Sequence, residues 1–341
     1  MFIPDFLRRT SFAIDLGNNN TLLTDKEQIL LTQPSYIVFN KQNHSVKAVG
    51  EEAYAIFEKN HSDLQPVKPL KCGVIADHDS ALAMIKAMVR KISTQSGFRN
   101  GFDEIISGVP YSTTEVERRA LRDTLDQFNS RKRFLVVEPL AAAVGMGLNI
   151  QEPEGKMIID IGGGITEIVV ISLSGVAVFQ SIKTAGDTFT ENIQDHLRKR
   201  YNLQVGWKTA ERVKVEVGAV MNELAEAPSP VMVKGKDIRE GLPVSKLITH
   251  CDVVQMLEQS FRTIEDHIRQ TLEICPPELA ADIYGNGIFV TGGGAMLRGL
   301  QQRLEQSIQI PVHLDQQPLL SVGKGISAML RNTSGYKSVL F

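Results

Sequence analysis

A chain of 341 residues is long enough for two hydrophobic cores and needs no covalent staples. With 43% hydrophobic and 22% charged residues it has the composition of an ordinary soluble globular protein, and a net charge of -2 offers no positive excess to displace counterions from nucleic acid. Cys72, Cys251 and Cys275 form no CxxC pair and the 7 histidines form no HExxH-like cluster, which argues for unpaired thiols in a reducing cytoplasm and against a zinc site.

No apolar run approaches the ~18 residues of a membrane span. The stretch Met1–Arg9 places its charges after its apolar residues, the reverse of a secretory signal, so the chain is expected to stay inside the cell. Phe12–Leu23 reads as a strand, a polar turn (Gly17, Asn18, Asn19, Asn20) and a second strand. Residues 30–60 read as short strands and a small helix without chemistry. A helix follows near Ser80–Ile92, then a polar loop Gly97–Phe102, a strand Glu104–Pro110, and a helix opened by the capping box Ser112-Thr113-Thr114-Glu115. Phe134–Val137 is an apolar strand ending at Glu138, and Pro139 starts an Ala-rich helix where its missing N–H costs nothing.

Beyond a linker at 151–155 come a strand Lys156–Asp160, the turn Ile161–Gly164 and a strand through Leu173. A charged, helix-rich stretch fills about 186–225, and Val231–Ile248 reads as strand. Val254, Leu257, Phe261, Ile264, Ile268 and Leu272 fall three or four apart, the stripe of a long amphipathic helix over about 251–274. Gly287–Thr291 is then a strand, Gly292–Gly294 a turn, and Ala295–Gln306 a helix.

The most informative feature is an internal repeat. Ile14-Asp15-Leu16-Gly17 recurs as Ile159-Asp160-Ile161-Gly162, and Thr21 recurs as Thr166, all at one offset of 145 residues. Two like-folded halves follow from it. Each copy brings an acidic residue into a turn whose small or amide residues let backbone N–H groups approach a ligand. Two such turns could grip a polyphosphate, with Asp15 and Asp160 facing one Mg²⁺. The third turn, Gly292–Gly294, would offer N–H groups at the start of a helix. There is no GxxxxGK[ST], and Gly162–Gly164 is followed by a strand, which excludes a P-loop and a dinucleotide-binding turn.

Position leaves two roles open for Glu138: a carboxylate that orients the water attacking a γ-phosphate, or a helix-capping glutamate beside Pro139. The charges of Thr209–Lys214 read, on pattern alone, as a solvated helix face.

These residues resemble the superfamily of actins, heat-shock chaperone ATPases and sugar kinases, and within it the MreB family of bacterial actin homologues. Beyond the turns, the resemblance runs through Lys71–Asp77, Thr114–Ala120, Glu138–Ala143, Thr209–Lys214, Pro276–Ile283 and Thr291–Leu300. It implies an α/β actin-like fold: two duplicated, ribonuclease H-like lobes around a nucleotide cleft, each with a small inserted subdomain. Lobe I would comprise 1–150 plus about 315–341, with its insertion at about 30–70; lobe II would comprise 151–314, with its insertion at about 185–245.

The same resemblance implies ATP or ADP and Mg²⁺ as ligands. Asn18, Asn19, Asn20, Gly162, Gly163 and Gly164 would hold the β- and γ-phosphates, and Asp15 and Asp160 the metal through water. Glu138 would position the attacking water, with Thr166 as a second catalytic candidate. Ala210, Glu211, Arg212, Val213 and Lys214, with Gly292, Gly293, Gly294, Ala295 and Met296, would enclose the adenosine. The family usually reads Thr-Ala-Asn where this chain has Asn18-Asn19-Asn20, Thr where it has Ile165, and paired glycines where it has Ala185-Gly186. The first two departures bear on the rate of hydrolysis rather than on binding.

The implied function is ATP-regulated polymerisation with slow hydrolysis, as a cytoplasmic scaffold for envelope synthesis and cell shape. Its alternatives are a small-molecule kinase of the superfamily, for which no second acidic cluster argues, and a scaffold that binds nucleotide without turning it over. The implied partners are further copies of the chain, membrane proteins of envelope synthesis, and the inner face of the cytoplasmic membrane. Membrane contact is expected through Phe2, Ile3, Phe6 and Leu7, flanked by Arg8 and Arg9, and through Phe98 and Phe102; the alternative is that these phenylalanines cover the rim of lobe I.

Overall fold

The computed structural model describes residues 10–59, 61–96 and 101–341. Phe2, Ile3, Phe6, Leu7 and Phe98, expected at a membrane, lie outside them. The chain forms two compact units. One comprises Met1–Pro153, Ile171–Gly175 and Leu319–Phe341; the other comprises Glu154–Val170 and Val176–Pro318.

In the first unit, in chain order, are β1 (Thr10–Leu16), β2 (Asn20–Thr24), β3 (Ile29–Pro34), β4 (Ile37–Asn40), β5 (Val46–Val49), α1 (Glu51–Ile56), β6 (Leu64–Val67), β7 (Leu70–Lys71), β8 (Val74–Ile75), α2 (His78–Ser96), β9 (Phe102–Val109), α3 (Glu115–Asp126), β10 (Ser130–Val137) and α4 (Glu138–Gly145). The main sheet has the order β10-β9-β1-β2-β3, with β1, β9 and β10 parallel and β2 antiparallel to both its neighbours. Phe12, Ile14, Leu23 and Ile105 pack with Met84, Ile85 and Met88 of α2 and Leu121 and Leu125 of α3. Ala13 and Ile106, on the alternate positions, are buried as well, so the central strands are covered on both faces and read as near-continuous apolar runs. A three-stranded sheet β5-β4-β6 and α1 close a small core of Tyr36, Val38, Ala48 and Ala53.

The second unit holds β11 (Lys156–Ile161), β12 (Thr166–Ser172), β13 (Gly175–Ile182), α5 (Gly186–Tyr201), β14 (Leu203–Gln204), α6 (Trp207–Val217), β15 (Val231–Asp237), β16 (Pro243–Ile248), α7 (His250–Glu273), α8 (Pro277–Asn286), β17 (Ile288–Thr291), α9 (Leu300–Ile308) and β18 (Val312–Leu314). Its main sheet runs β13-β12-β11-β17-β18, with β11, β17 and β18 parallel. Strand for strand, this is the order of the first sheet, which bears out the duplication read from the repeat. The apolar stripe of α7 enters the core, where Phe261 meets Phe189 of α5 at 5.1 Å between ring centroids. A second three-stranded sheet, β14-β15-β16, stands apart from the main one.

The chain then returns to the first unit as α10 (Ser321–Arg331), which packs on α4, β1 and β9. Its seam with α4 is backbone on backbone. A Cβ at Gly325 would come 1.7 Å from the Ala141 carbonyl oxygen, and one at Gly145 would come 1.9 Å from that of Ser321.

Two expectations are corrected. Phe102 is no membrane contact: it opens β9, two residues ahead of the predicted strand, is 8% exposed, and its ring lies 4.4 Å from that of Phe12. Nor does Gly292–Gly294 open an α-helix directly. It leads into a single 3-10 turn, Gly293–Met296, then an extended Leu297 and a left-handed Gly299 before α9 begins. No long helix axis therefore points at the glycines, and the dipole argument for them lapses. The capping box is present two residues along, as Thr114 with Glu117. Among the described residues, no helix is long and apolar enough to cross a membrane.

Candidate functional site

In the first unit, the parallel strands β1, β9 and β10 end on one edge of the sheet, where open α/β sheets bind ligands. Asp15 is the last residue but one of β1 and is half-buried; the turn Gly17–Asn20 follows it. That turn is braced by side chains. The Ser35 hydroxyl donates to the Gly17 carbonyl at 2.6 Å, and the Ser35 N–H donates to the Asn19 carbonyl at 2.9 Å. A hydroxyl has one proton, so the buried Thr21 hydroxyl, 2.9 Å away, is the donor to Ser35. Asn18, 5% exposed, accepts from the Gly73 N–H at 3.5 Å, and Asn19 accepts from the Lys68 ammonium at 2.6 Å. Asn20 is exposed. Ser35 lies within the stretch read as carrying no chemistry, and Lys68 belongs to no motif. Neither has a local pattern, because each meets the turn only through strand pairing.

Glu138 begins α4 at the end of β10, half-buried, with Pro139 in the first turn. Its side chain covers Gly108, where a Cβ would lie 3.1 Å from Glu138 Cγ. Beside it is a cavity of about 20 Å³ lined by Leu16, Leu70, Gly73, Val74, Val109, Pro110 and Leu121 among others, large enough for a water molecule.

In the second unit, the turn Gly162–Ile165 is braced by backbone. Gly162 N–H donates to the Ile165 carbonyl at 3.0 Å, and the first two N–H groups of α5, at Gly186 and Asp187, donate to the carbonyls of Gly162 and Gly163 at 3.0 and 2.7 Å. Gly162 and Gly163 stay partly exposed, while Gly164 is buried. Thr166, a catalytic candidate, is corrected to a structural residue: it is 0% exposed and its hydroxyl donates to the Thr184 carbonyl at 2.8 Å.

Asp160 pairs in register with Thr291 of β17, and that register brings Gly292 against it: a Cβ at Gly292 would lie 2.3 Å from Asp160 Oδ1. Asp160 keeps some exposed surface, yet the protein packed around it strips enough water to push its carboxyl up to about 6. A carboxylate this costly to ionise alone suits a neighbouring cation, so the oxygens of Asp160 fit a hard divalent ion such as Mg²⁺. Among the described residues, no three His, Cys, Asp or Glu side chains group as a metal cage.

Helix α6 divides the candidates it carries. Ala210 and Val213 are 0% exposed in the hydrophobic core, which corrects their expected contact with adenosine. Arg212 is exposed, paired with Glu216 and bonded to the Met232 carbonyl. Glu211 and Lys214 form a half-buried ion pair at 2.8 Å, and Lys214 also donates to the Gly186 carbonyl at 2.8 Å and to Thr190 at 2.9 Å. Those two charges are thereby tied to the glycine turn through α5 and are not a solvated face. Gly293 and Met296 are exposed, and Gly294 and Ala295 are buried against Ile161 and its neighbours.

The sequence matches the MreB/Mbl protein family over residues 9–338. The chain belongs to the MreB/Mbl family. It is 37% identical over 320 residues to the cell shape-determining protein MreB of Escherichia coli K12, covering 92% of this chain and 91% of that protein. It is 35% identical over 321 residues to the cell shape-determining protein Mbl of Bacillus subtilis 168, covering 94% and 95%. Among solved structures, MreB 5 of Spiroplasma citri bound to AMPPNP matches with a TM-score of 0.89 and 33% identity over 97% of this chain and 98% of that one. The same protein bound to ADP matches equally. The MamK double helical filament matches with a TM-score of 0.77 at 21% identity, over 96% and 99% of the two chains, a likeness of fold. The fold of this chain is actin-like.

Proposed function

We propose that this chain is an ATP-dependent, polymerising actin homologue whose filaments lie on the inner face of the cytoplasmic membrane and help determine cell shape. The observation that carries the reading is the twinning: two sheets of one strand order, each leading from an aspartate into a small-residue or amide turn. The relatives' names and the AMPPNP and ADP of the Spiroplasma structures point the same way. In this reading the turns at Asn18–Asn20 and Gly162–Gly164 donate to the phosphates of one nucleotide. Asp15 and Asp160 would hold Mg²⁺, which when bound would supply positive charge beside the phosphates. Glu211 and Lys214, with the exposed Gly293 and Met296, stand on the adenosine side. Glu138 accepts a hydrogen bond from the attacking water and orients it toward the γ-phosphate, slowly and without an acceptor pocket. Phe2, Ile3, Phe6, Leu7 and Phe98 supply a weak anchor that repeats along a filament and gains by avidity.

One preparation tests this. Purified protein with MgATP should give filaments by electron microscopy and release phosphate. Glu138→Ala should keep ATP affinity while phosphate release falls by ~10²-fold and polymers persist, because a water-positioning group acts on the transition state. Release at the parental rate would make Glu138 a helix cap only. With anionic vesicles added, polymer should float with the lipid, and Phe2→Ser with Phe6→Ser should stay behind. Flotation of that variant at the parental level removes the N-terminal anchor.

A further inference from the structure

We propose that Lys68 is a positioning residue of the phosphate site: its ammonium holds the Asn19 side chain so that the carboxamide N–H groups face a bound polyphosphate. This rests on reading Gly17–Asn20 as a phosphate turn and adds to it a residue that the turn's own sequence does not contain.

The geometry begins with Asn19. Its backbone is held by the Ser35 N–H, 2.9 Å from the Asn19 carbonyl oxygen. Its side chain is held by Lys68 Nζ, 2.6 Å from Oδ1 and partly buried. An ammonium has donors and no acceptor, so it must face the amide oxygen; the orientation of this carboxamide is therefore fixed by chemistry. With Oδ1 committed, the two N–H groups project from the opposite side, which suits phosphate oxygens. A charged donor on the oxygen also polarises the amide and makes its N–H groups stronger donors.

Lys68 is itself well placed to hold still. It sits between β6 and β7 and precedes Pro69, which restricts it to an extended backbone. Its ammonium lies 6.0 Å from the centre of the Tyr36 ring, which is 3% exposed in the small core behind. Where the family pattern has alanine, there is no side-chain oxygen for such a lysine to hold. Asn19 and Lys68 therefore form a matched pair, and the departure from the family pattern acquires a physical reason.

The test is calorimetric titration of MgATP and MgADP into the parent, Lys68→Met, Asn19→Ala and the double variant, with thermal unfolding of each alongside. Loss of one charge-assisted hydrogen bond corresponds to about ten- to a hundredfold in affinity. Each single variant should show a loss in that range at an unchanged unfolding midpoint, and Lys68→Arg should restore most of it. Because Lys68 acts through Asn19, the double variant should bind no worse than the weaker single one. Parental affinity in both single variants would overturn the inference while leaving the phosphate turn standing. Losses that multiply in the double variant would overturn it too, since Lys68 would then touch the nucleotide itself. A parent that binds no MgATP would remove both this inference and the functional reading beneath it.

Discussion

The two glycine- or amide-tipped turns descend from one repeat, yet they are held in different ways. In the first, most contacts involve a side chain: the Ser35 hydroxyl on the Gly17 carbonyl, the Asn18 carboxamide on the Gly73 N–H and Lys68 on Asn19, beside one backbone bond from the Ser35 N–H to the Asn19 carbonyl. In the second they come from backbone, chiefly the opening N–H groups of α5 on the Gly162 and Gly163 carbonyls. The paired threonines show the same split. Thr21 meets a serine hydroxyl and Thr166 meets the Thr184 carbonyl. A side-chain brace can be altered by exchanging one residue, so the first turn can be tuned stepwise. A backbone brace answers only to changes that move the chain.

Adding one methyl in the second unit should therefore have the largest effect. Gly292 has φ +82, where a side chain is strained, and a new Cβ would meet Asp160 Oδ1 at 2.3 Å and the Ile161 carbonyl oxygen at 2.5 Å. Gly292→Ala is expected to cost about 3–5 kcal/mol of stability and to displace Asp160, with loss of MgATP binding. Urea unfolding and titration would show it. Near-parental values for both would mean that the backbone there yields easily and that the contrast between the turns is false.

Ser35→Ala should do less and sharpen the contrast. It removes one hydroxyl and leaves the Gly17 carbonyl and the buried Thr21 hydroxyl without that partner, a cost of about 1–3 kcal/mol. The fold should survive, and the loss should appear as a lowered urea midpoint with a weaker, still measurable MgATP affinity. Complete loss of binding would show that the first turn is as intolerant as the second.

Much of this was legible because it is local or repeated. Ile14–Gly17 and Ile159–Gly162 share a spacing and a composition, and the sheets that contain them share a strand order. Glu138 could be found because a strand, a glutamate and a proline in sequence dictate a strand-to-helix junction. The braces could not be found that way. Ser35 and Lys68 reach the first turn from 18 and 49 residues away along the chain, at positions set by strand pairing. Phe102 was misread because a glycine and an aromatic beside a polar loop resemble an exposed tip. Only the pairing of β9 with β1 brings that ring against Phe12. The candidates on α6 were misassigned in part because five neighbouring residues on a helix cannot all face one ligand. Ala210 and Val213 belong to the core, Glu211 and Lys214 to the turn.

The glycine seam between α4 and α10 also sets an order of events on the ribosome. All five strands of the first sheet, and α4 beside them, are complete once residue 145 has been made. The helix that packs along α4 is residues 321–331, and a side chain in place of Gly325 or Gly145 would hold the two apart. Synthesis proceeds from the N-terminus, so the first unit must wait, with the α4 face at Ala141 and Gly145 uncovered, while the whole second unit is translated. Joining segments so far apart adds little to the equilibrium cost, since loop-closure entropy grows only with the logarithm of length. The burden falls on time instead. A half-made chain carries an open apolar groove, and its first unit closes among its last steps of folding.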